Sequence, residues 1–207
     1  MATTTREKLI TAEELARMHI GESCELVKGR IVYVSPAGFN HGHIAARIAR
    51  LIDRHADRRG LGEVLSADTG YWVERDPDTV RAPDVAFLTH RSLRRAEAAR
   101  TSFCPLGPEL AVEVRSPDNT VKQLEEKASE YLAAGSKAVW LVFPDDRQVH
   151  VHVSGRPARV LGIDDAITGG KALPGFRALV REFFEGRPRR AAKKATSTKR
   201  KPRPRRA

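Results

Sequence analysis

The stretch Glu109–Phe143, "ELAVEVRSPDNTVKQLEEKASEYLAAGSKAVWLVF", decides the architecture of the chain. Leu110, Ala111, Val112 and Val114 form an apolar run of strand length, and "AVWLVF" at Ala138–Phe143 forms a second. Between them Val121, Leu124, Ala128, Tyr131 and Leu132 recur at helical spacing, and Gly135 follows as a stop signal. One residue breaks the pattern. Glu113 sits inside the first apolar run, where a carboxylate without partners loses several kcal/mol of solvation and must either neutralise or find a cation.

Upstream, Thr11 and Glu14 stand three apart ahead of an apolar residue, the pattern of a capping box, and predict a short helix over Thr11–Met18. "CELVKGRIVYVS" alternates on both sides of Lys28-Gly29 and predicts a hairpin. Ile44, Ile48, Leu51 and Ile52 form a helical stripe within Asn40–Gly60, a helix expected to cover a sheet. Short strands are expected at Glu63–Ser66, Gly70–Glu74 and Asp84–Leu88, with "RDPDTVRAP" as a turn between the last two. "THRSLRRAEAAR" reads as a helix or a mobile loop, "RQVHVHV" as a strand and "GFRALVREFFEG" as a closing helix. This mixture of helices and hairpin-linked strands, without internal repeats, predicts an α/β fold with a central mixed sheet.

The chain has 207 residues, enough for one full hydrophobic core with an appendage, and charge marks where the appendage starts. Of 37 basic residues, 11 fall in Arg187–Ala207, a segment with no acid, which leaves 26 basic against 26 acidic residues before it. The net charge of +11 therefore belongs to the tail. The expected division is a domain over residues 1–186 and a disordered Lys/Arg-rich tail over residues 187–207, suited to sequence-blind contact with nucleic-acid phosphates. No apolar run is long enough to span a membrane, and "MATTTREKLI" lacks the apolar block of a signal peptide, so the reading is a cytoplasmic protein without a membrane partner. Cys24 and Cys104 lack metal-ligand spacing and read as free thiols. Neither a GK[ST] phosphate loop nor an HExxH helix occurs, which argues against nucleoside triphosphatases and zinc proteases.

Two residues have the chemistry to meet Glu113. Asp84 follows Pro83 at the mouth of the strand "DVAFL", and Lys127 lies on the helix after the Glu113 strand, about 40° from Tyr131 and about 60° from Leu124, at the border of the apolar face. From there a lysine can lay its stem along the sheet and deliver its ammonium to a strand residue. Two acids and a lysine can hold Mg²⁺, which prefers oxygen ligands and keeps waters, beside a cation that steers a nucleophilic water. A zinc site from His150 and His152 with His41 or His43 is a weaker alternative, because paired histidines on a strand usually face solvent.

The segments "CELVKGRIVYVSPAGFNHGHIAARI" (24–48), "APDVAF" (82–87), "ELAVEVRSPDN" (109–119) and "LEEKASEYLAAGSKAVWLVFPDDRQVHVH" (124–152) resemble the PD-(D/E)XK restriction-endonuclease-like superfamily and, within it, the Uma-type restriction endonuclease family. The resemblance runs from about Thr11 to Phe184. It implies that Asp84 and Glu113 bind metal with the Val114 carbonyl as a further ligand, and that Lys127 supplies the catalytic amine. The superfamily usually places its lysine two residues after the glutamate, where this chain has Arg115; the Uma-type pattern moves it to the following helix, which Lys127 matches. Arg115 stays a rival that would share a strand face with Glu113, although a guanidinium is a poor base. Glu25 and His41 match a family acid and a family histidine, and Gln123 is a candidate substrate contact. The implied activity is Mg²⁺-dependent hydrolysis of DNA, with Mn²⁺ able to substitute and with room for a homodimer. The competing reading is a nuclease-like fold that binds nucleic acid without cutting it.

Overall fold

The computed structural model describes residues 8–185, so the basic segment and the boundary expected at Gly186 lie outside the described residues. Helix α1, Ala12–Arg17, starts at the expected capping box: the Thr11 hydroxyl accepts from the Glu14 amide, and the Glu14 carboxylate accepts from the Thr11 amide. Strands β1, Cys24–Val27, and β2, Arg30–Tyr33, pair antiparallel across Lys28 and Gly29, whose φ angles of 49° and 75° suit a two-residue hairpin turn. Helix α2, Phe39–Arg59, buries Ile44, Ile48 and Ile52 and ends at Gly60 in the left-handed conformation. Then come β3, Gly62–Ser66, β4, Tyr71–Glu74, β5, Thr79–Arg81, and β6, Val85–Thr89.

The segment read as a helix or loop is helix α3, His90–Ala99, capped by the Thr89 hydroxyl. It is followed by β7, Leu110–Val114, helix α4, Val121–Ala133, β8, Ala138–Phe143, β9, Gln148–His152, and β10, Arg159–Leu161. The described chain closes with β11, Ala166–Thr168, β12, Arg177–Leu179, and the four-residue helix α5, Arg181–Phe184. Six strands form the central sheet in the order β10-β9-β8-β7-β6-β3. It is mixed, as expected: β7 and β8 are parallel and joined through α4, and their other neighbours are antiparallel. A second sheet, β2-β1-β5-β4, stands beside it, and β11 and β12 form a third.

Alternation along the central strands separates two cores. Phe87, Leu110, Val112, Val114, Trp140 and Val142 pack toward the α2 isoleucines and Phe183, whereas Ala86, Leu88, Ala111, Val139 and Leu141 pack with Leu124, Ala128 and Tyr131 of α4. By that parity Glu113 shares the α4 face with Ala111. Gly62 lets β3 lie close against β6, since a Cβ there would approach the Leu88 carbonyl to 2.0 Å.

Three local expectations need correction. "RDPDTVRAP" is not simply a turn: it contains β5, all of whose residues are buried because the strand runs between β1 and β4. The closing segment is mostly not helical, because Phe176, Ala178 and Val180 are buried while Arg177 and Leu179 are exposed, a two-residue period that pairs with β11. Val121 is 43% exposed, since the first turn of α4 starts before the helix reaches the core.

Candidate active site

Strand β7 delivers Glu113 to the α4 face of the central sheet, where it is 4% exposed. Its Oε1 accepts a hydrogen bond of 2.9 Å from the Tyr131 hydroxyl, and its Oε2 lies 3.5 Å from Lys127 Nζ. Both partners come from α4, and their spacing of four residues stacks them on one helix face. Burial pushes the Glu113 carboxyl up, Lys127 opposes this, and the neighbouring Asp84 and Glu25 charges push it further, to about 7.

Asp84 stands just before β6, one step beyond the Val85–Val112 pair and so level with Glu113. Its Oδ2 accepts from the Val114 amide at 2.7 Å and meets His41 Nε2 at 3.1 Å. The hydrogen bond to Asp84 raises the His41 pKa despite partial burial, which favours a protonated imidazole against the carboxylate. His41 lies in the first turn of α2, so that helix also serves the site.

Glu25 on β1 ties the second sheet to this centre. Its Oε1 is 2.9 Å from Lys127 Nζ and accepts from the Ala82 amide at 3.2 Å, while its Oε2 accepts from Arg81 at 2.8 Å. Arg81 turns its remaining nitrogens to Glu130, Nε to Oε2 at 2.6 Å and an Nη to Oε1 at 3.0 Å, in a two-pronged pair. Burial pushes the Glu25 carboxyl up, but Lys127 and Arg81 outweigh it and leave its pKa lowered. Burial likewise pushes Lys127 down, and Glu113 and Glu25 outweigh that and hold it as an ammonium.

Asp84, Glu113, Lys127, Glu25 and His41 therefore meet at one place, on four elements and the turn before β6. The other candidates do not join them. Arg115 donates from Nε to the Asn119 carbonyl at 3.3 Å, so Lys127 is the cation at the carboxylates. The Gln123 side-chain carbonyl is taken by the capping box of α4, accepting from the Thr120 amide and hydroxyl. The His150 ring packs on Phe143 with centroids 4.3 Å apart, and His41, its suggested co-ligand, is engaged with Asp84 instead. Arg81, Glu130 and Tyr131 escaped the sequence reading of the site. A signal existed for one of them, because an arginine in "TVRAP" with no acid beside it needs a distant partner.

The donor set suits a hard cation better than a soft one. Asp84 and Glu113 could offer carboxylate oxygens, too few by themselves for a complete cage, the kind of incomplete oxygen set that Mg²⁺ completes with waters. The elevated Glu113 pKa reflects first the burial of the carboxylate and then the Asp84 and Glu25 charges beside it, which Lys127 alone does not offset. Tyr131 holds Oε1 and thereby turns Oε2 toward the shared space. Tyr131→Phe is accordingly expected to weaken metal binding or activity about 10- to 100-fold, measured by calorimetric titration with Mn²⁺. Unchanged affinity would assign the hydroxyl a packing role only.

A mixed α/β sheet whose strand mouths bear two acids next to a lysine defines the restriction-endonuclease-like class. The sequence over residues 12–181 matches the family described as "Uma2: Putative restriction endonuclease", and the chain belongs to that family. A crystal structure from Anabaena variabilis, described as "a putative nuclease belonging to DUF820", superposes with a TM-score of 0.73 at 17% identity, over 83% of this chain and 95% of that one, and shares the fold. No curated protein matches the sequence.

Proposed function

We propose that the chain is a metal-dependent endonuclease that hydrolyses DNA phosphodiester bonds. The observation that carries this reading is the convergence of Glu113, Asp84 and Lys127, with the Lys127 ammonium 3.5 Å from Glu113 and 2.9 Å from Glu25. Membership of the family supports it independently. Asp84, Glu113 and the Val114 carbonyl would hold Mg²⁺ or Mn²⁺, which when bound polarises a phosphate oxygen and acidifies a water. Lys127 orients the attacking water and offsets the charge that builds on the phosphorus oxygens. Glu25 keeps the ammonium aimed at the site, and His41 fixes the rotamer of Asp84.

The test is cleavage of plasmid, linear and single-stranded DNA by the full chain across a panel of divalent metals, with EDTA as control. Metal-dependent nicking or linearisation is expected. A protein that binds DNA but leaves every substrate intact in every metal is a nuclease-like fold that only binds. The 11 basic residues of Arg187–Ala207 are assigned the role of a phosphate tether. Deleting them should make the log–log salt dependence of DNA affinity less negative by about 0.9 for each phosphate the tail neutralises, and an unchanged slope refutes the tether.

A further inference from the structure

Outside the site, charge on the described surface is segregated. Helix α3 carries Arg91, Arg94, Arg95 and, at its C-cap, Arg100 against the single acid Glu97, and all four arginines are exposed. At about 100° per residue Arg91, Arg94 and Arg95 fall within about 100° of arc, and Leu93, which packs on the α4-side core, projects from the opposite side. Among the described residues none of the four arginines has an acidic partner within ion-pair distance. The acid closest in the hydrogen-bond network, Glu109, is buried and already bonded to Thr89 and Ser92, with Lys137 at 3.9 Å. Helix α2 is also basic, with five arginines against Asp53 and Asp57, and among the described residues no salt bridge is closed by Arg50, Arg54 or Arg58. There, however, an acid stands three residues after Arg50 and after Arg54 on the helix surface, so the charges alternate.

We infer that the arginine face of α3 is a second contact for the phosphate backbone of nucleic acid, separate from the catalytic centre. Guanidinium groups three and four residues apart stand about 5–6 Å apart at their Cβ atoms and present planar donor forks suited to successive phosphates. Asp84 stands before β6 and α3 begins directly after it, so five strand residues, about 17 Å, separate the helix from the site. A polyanion held there engages the protein several nucleotides from the bond being cut. The face carries no base-reading pattern, so the contact is blind to sequence and adds affinity and register.

This inference rests on the nucleic-acid reading above, and its test is independent of cleavage. Binding of the full chain to a labelled 30-base-pair duplex is measured by fluorescence anisotropy in EDTA over a salt titration. The parent is compared with Arg91→Gln/Arg94→Gln/Arg95→Gln and with the control Arg50→Gln/Arg54→Gln/Arg58→Gln, which removes the same charge from the interleaved face. The α3 variant should bind more weakly on every sequence, with a slope less negative by roughly 2 to 3, while the control changes much less. Equal effects in the two variants, or an unchanged slope, overturn the inference and leave the α3 face to an acidic protein partner. Should the parent cleave with metal while the α3 variant binds unaltered, only this inference fails. Should α3 govern binding while no metal supports cleavage, only the proposed catalysis fails.

Discussion

Replacing Lys127 by alanine is expected to slow metal-dependent plasmid cleavage by about 10²–10³-fold, the usual loss when one preorganised group that stabilises transition-state charge is removed. Neither neighbouring guanidinium can take the place of the ammonium, since Arg115 is engaged with Asn119 and Arg81 is held between Glu25 and Glu130, and the His41 imidazole is bound to Asp84. The fold should survive, because Glu25 keeps Arg81 and the Ala82 amide, and Glu113 can take a proton. Circular dichroism and a melting curve verify that. Lys127→Arg separates two roles for the side chain, since a guanidinium retains the positive charge but stays protonated. Substantial activity in the arginine variant makes Lys127 an electrostatic group; an arginine variant as slow as the alanine one makes it a proton carrier. Glu113→Gln in the same assay should lose at least as much, because it removes an oxygen ligand as well as a charge. Parent-like rates in both Lys127→Ala and Glu113→Gln would end the catalytic assignment.

The largest effect on stability is expected for Arg81→Met, about 3–5 kcal/mol, the cost of stripping the partner from a buried charge. The Arg81 side chain is 10% exposed, and it joins Glu25 on β1 to Glu130 on α4, so its removal takes the ion-pair partner from Glu130 and leaves Glu25 to Lys127, which Glu113 also shares. Urea denaturation of parent and variant at neutral pH measures the difference. Acid should narrow it. The Glu25 pKa is lowered in the fold, so its share of the stability is complete above the unfolded value of about 4.3 and fades as pH falls through the folded value. Parallel stability curves from pH 7 to pH 3 would show that Glu25 is not held by this network.

The helix and hairpin signals were legible wherever an element's own side chains carried its energetics. Thr11 with Glu14, Lys28-Gly29 and Gly60 mark boundaries through local hydrogen bonds and backbone angles, and the structure keeps all of them. Strand β5 was hidden because three residues between Asp78 and Ala82 show no period; their burial comes from β1 on one side and β4 on the other. The end of the described chain misled for a related reason. Phe176, Ala178, Val180, Phe183 and Phe184 satisfy a two-residue period first and a helical one afterwards, and pairing with β11 settles the first part as strand.

The amino-acid sequence by itself determined that Glu113 needed a cation and that Lys127, at the border of an apolar helix face, could reach it. It also placed the charge excess in Arg187–Ala207. Only the tertiary structure decided that the arginine fork of Arg81 spans Glu25 and Glu130, that Tyr131 spends its hydroxyl on Glu113, and that His41 reaches Asp84. These contacts join residues from 18 to 56 positions apart in the chain. The physical reason is that a buried charge announces a need for a partner, while the partner's identity is set by which strands and helices pack together.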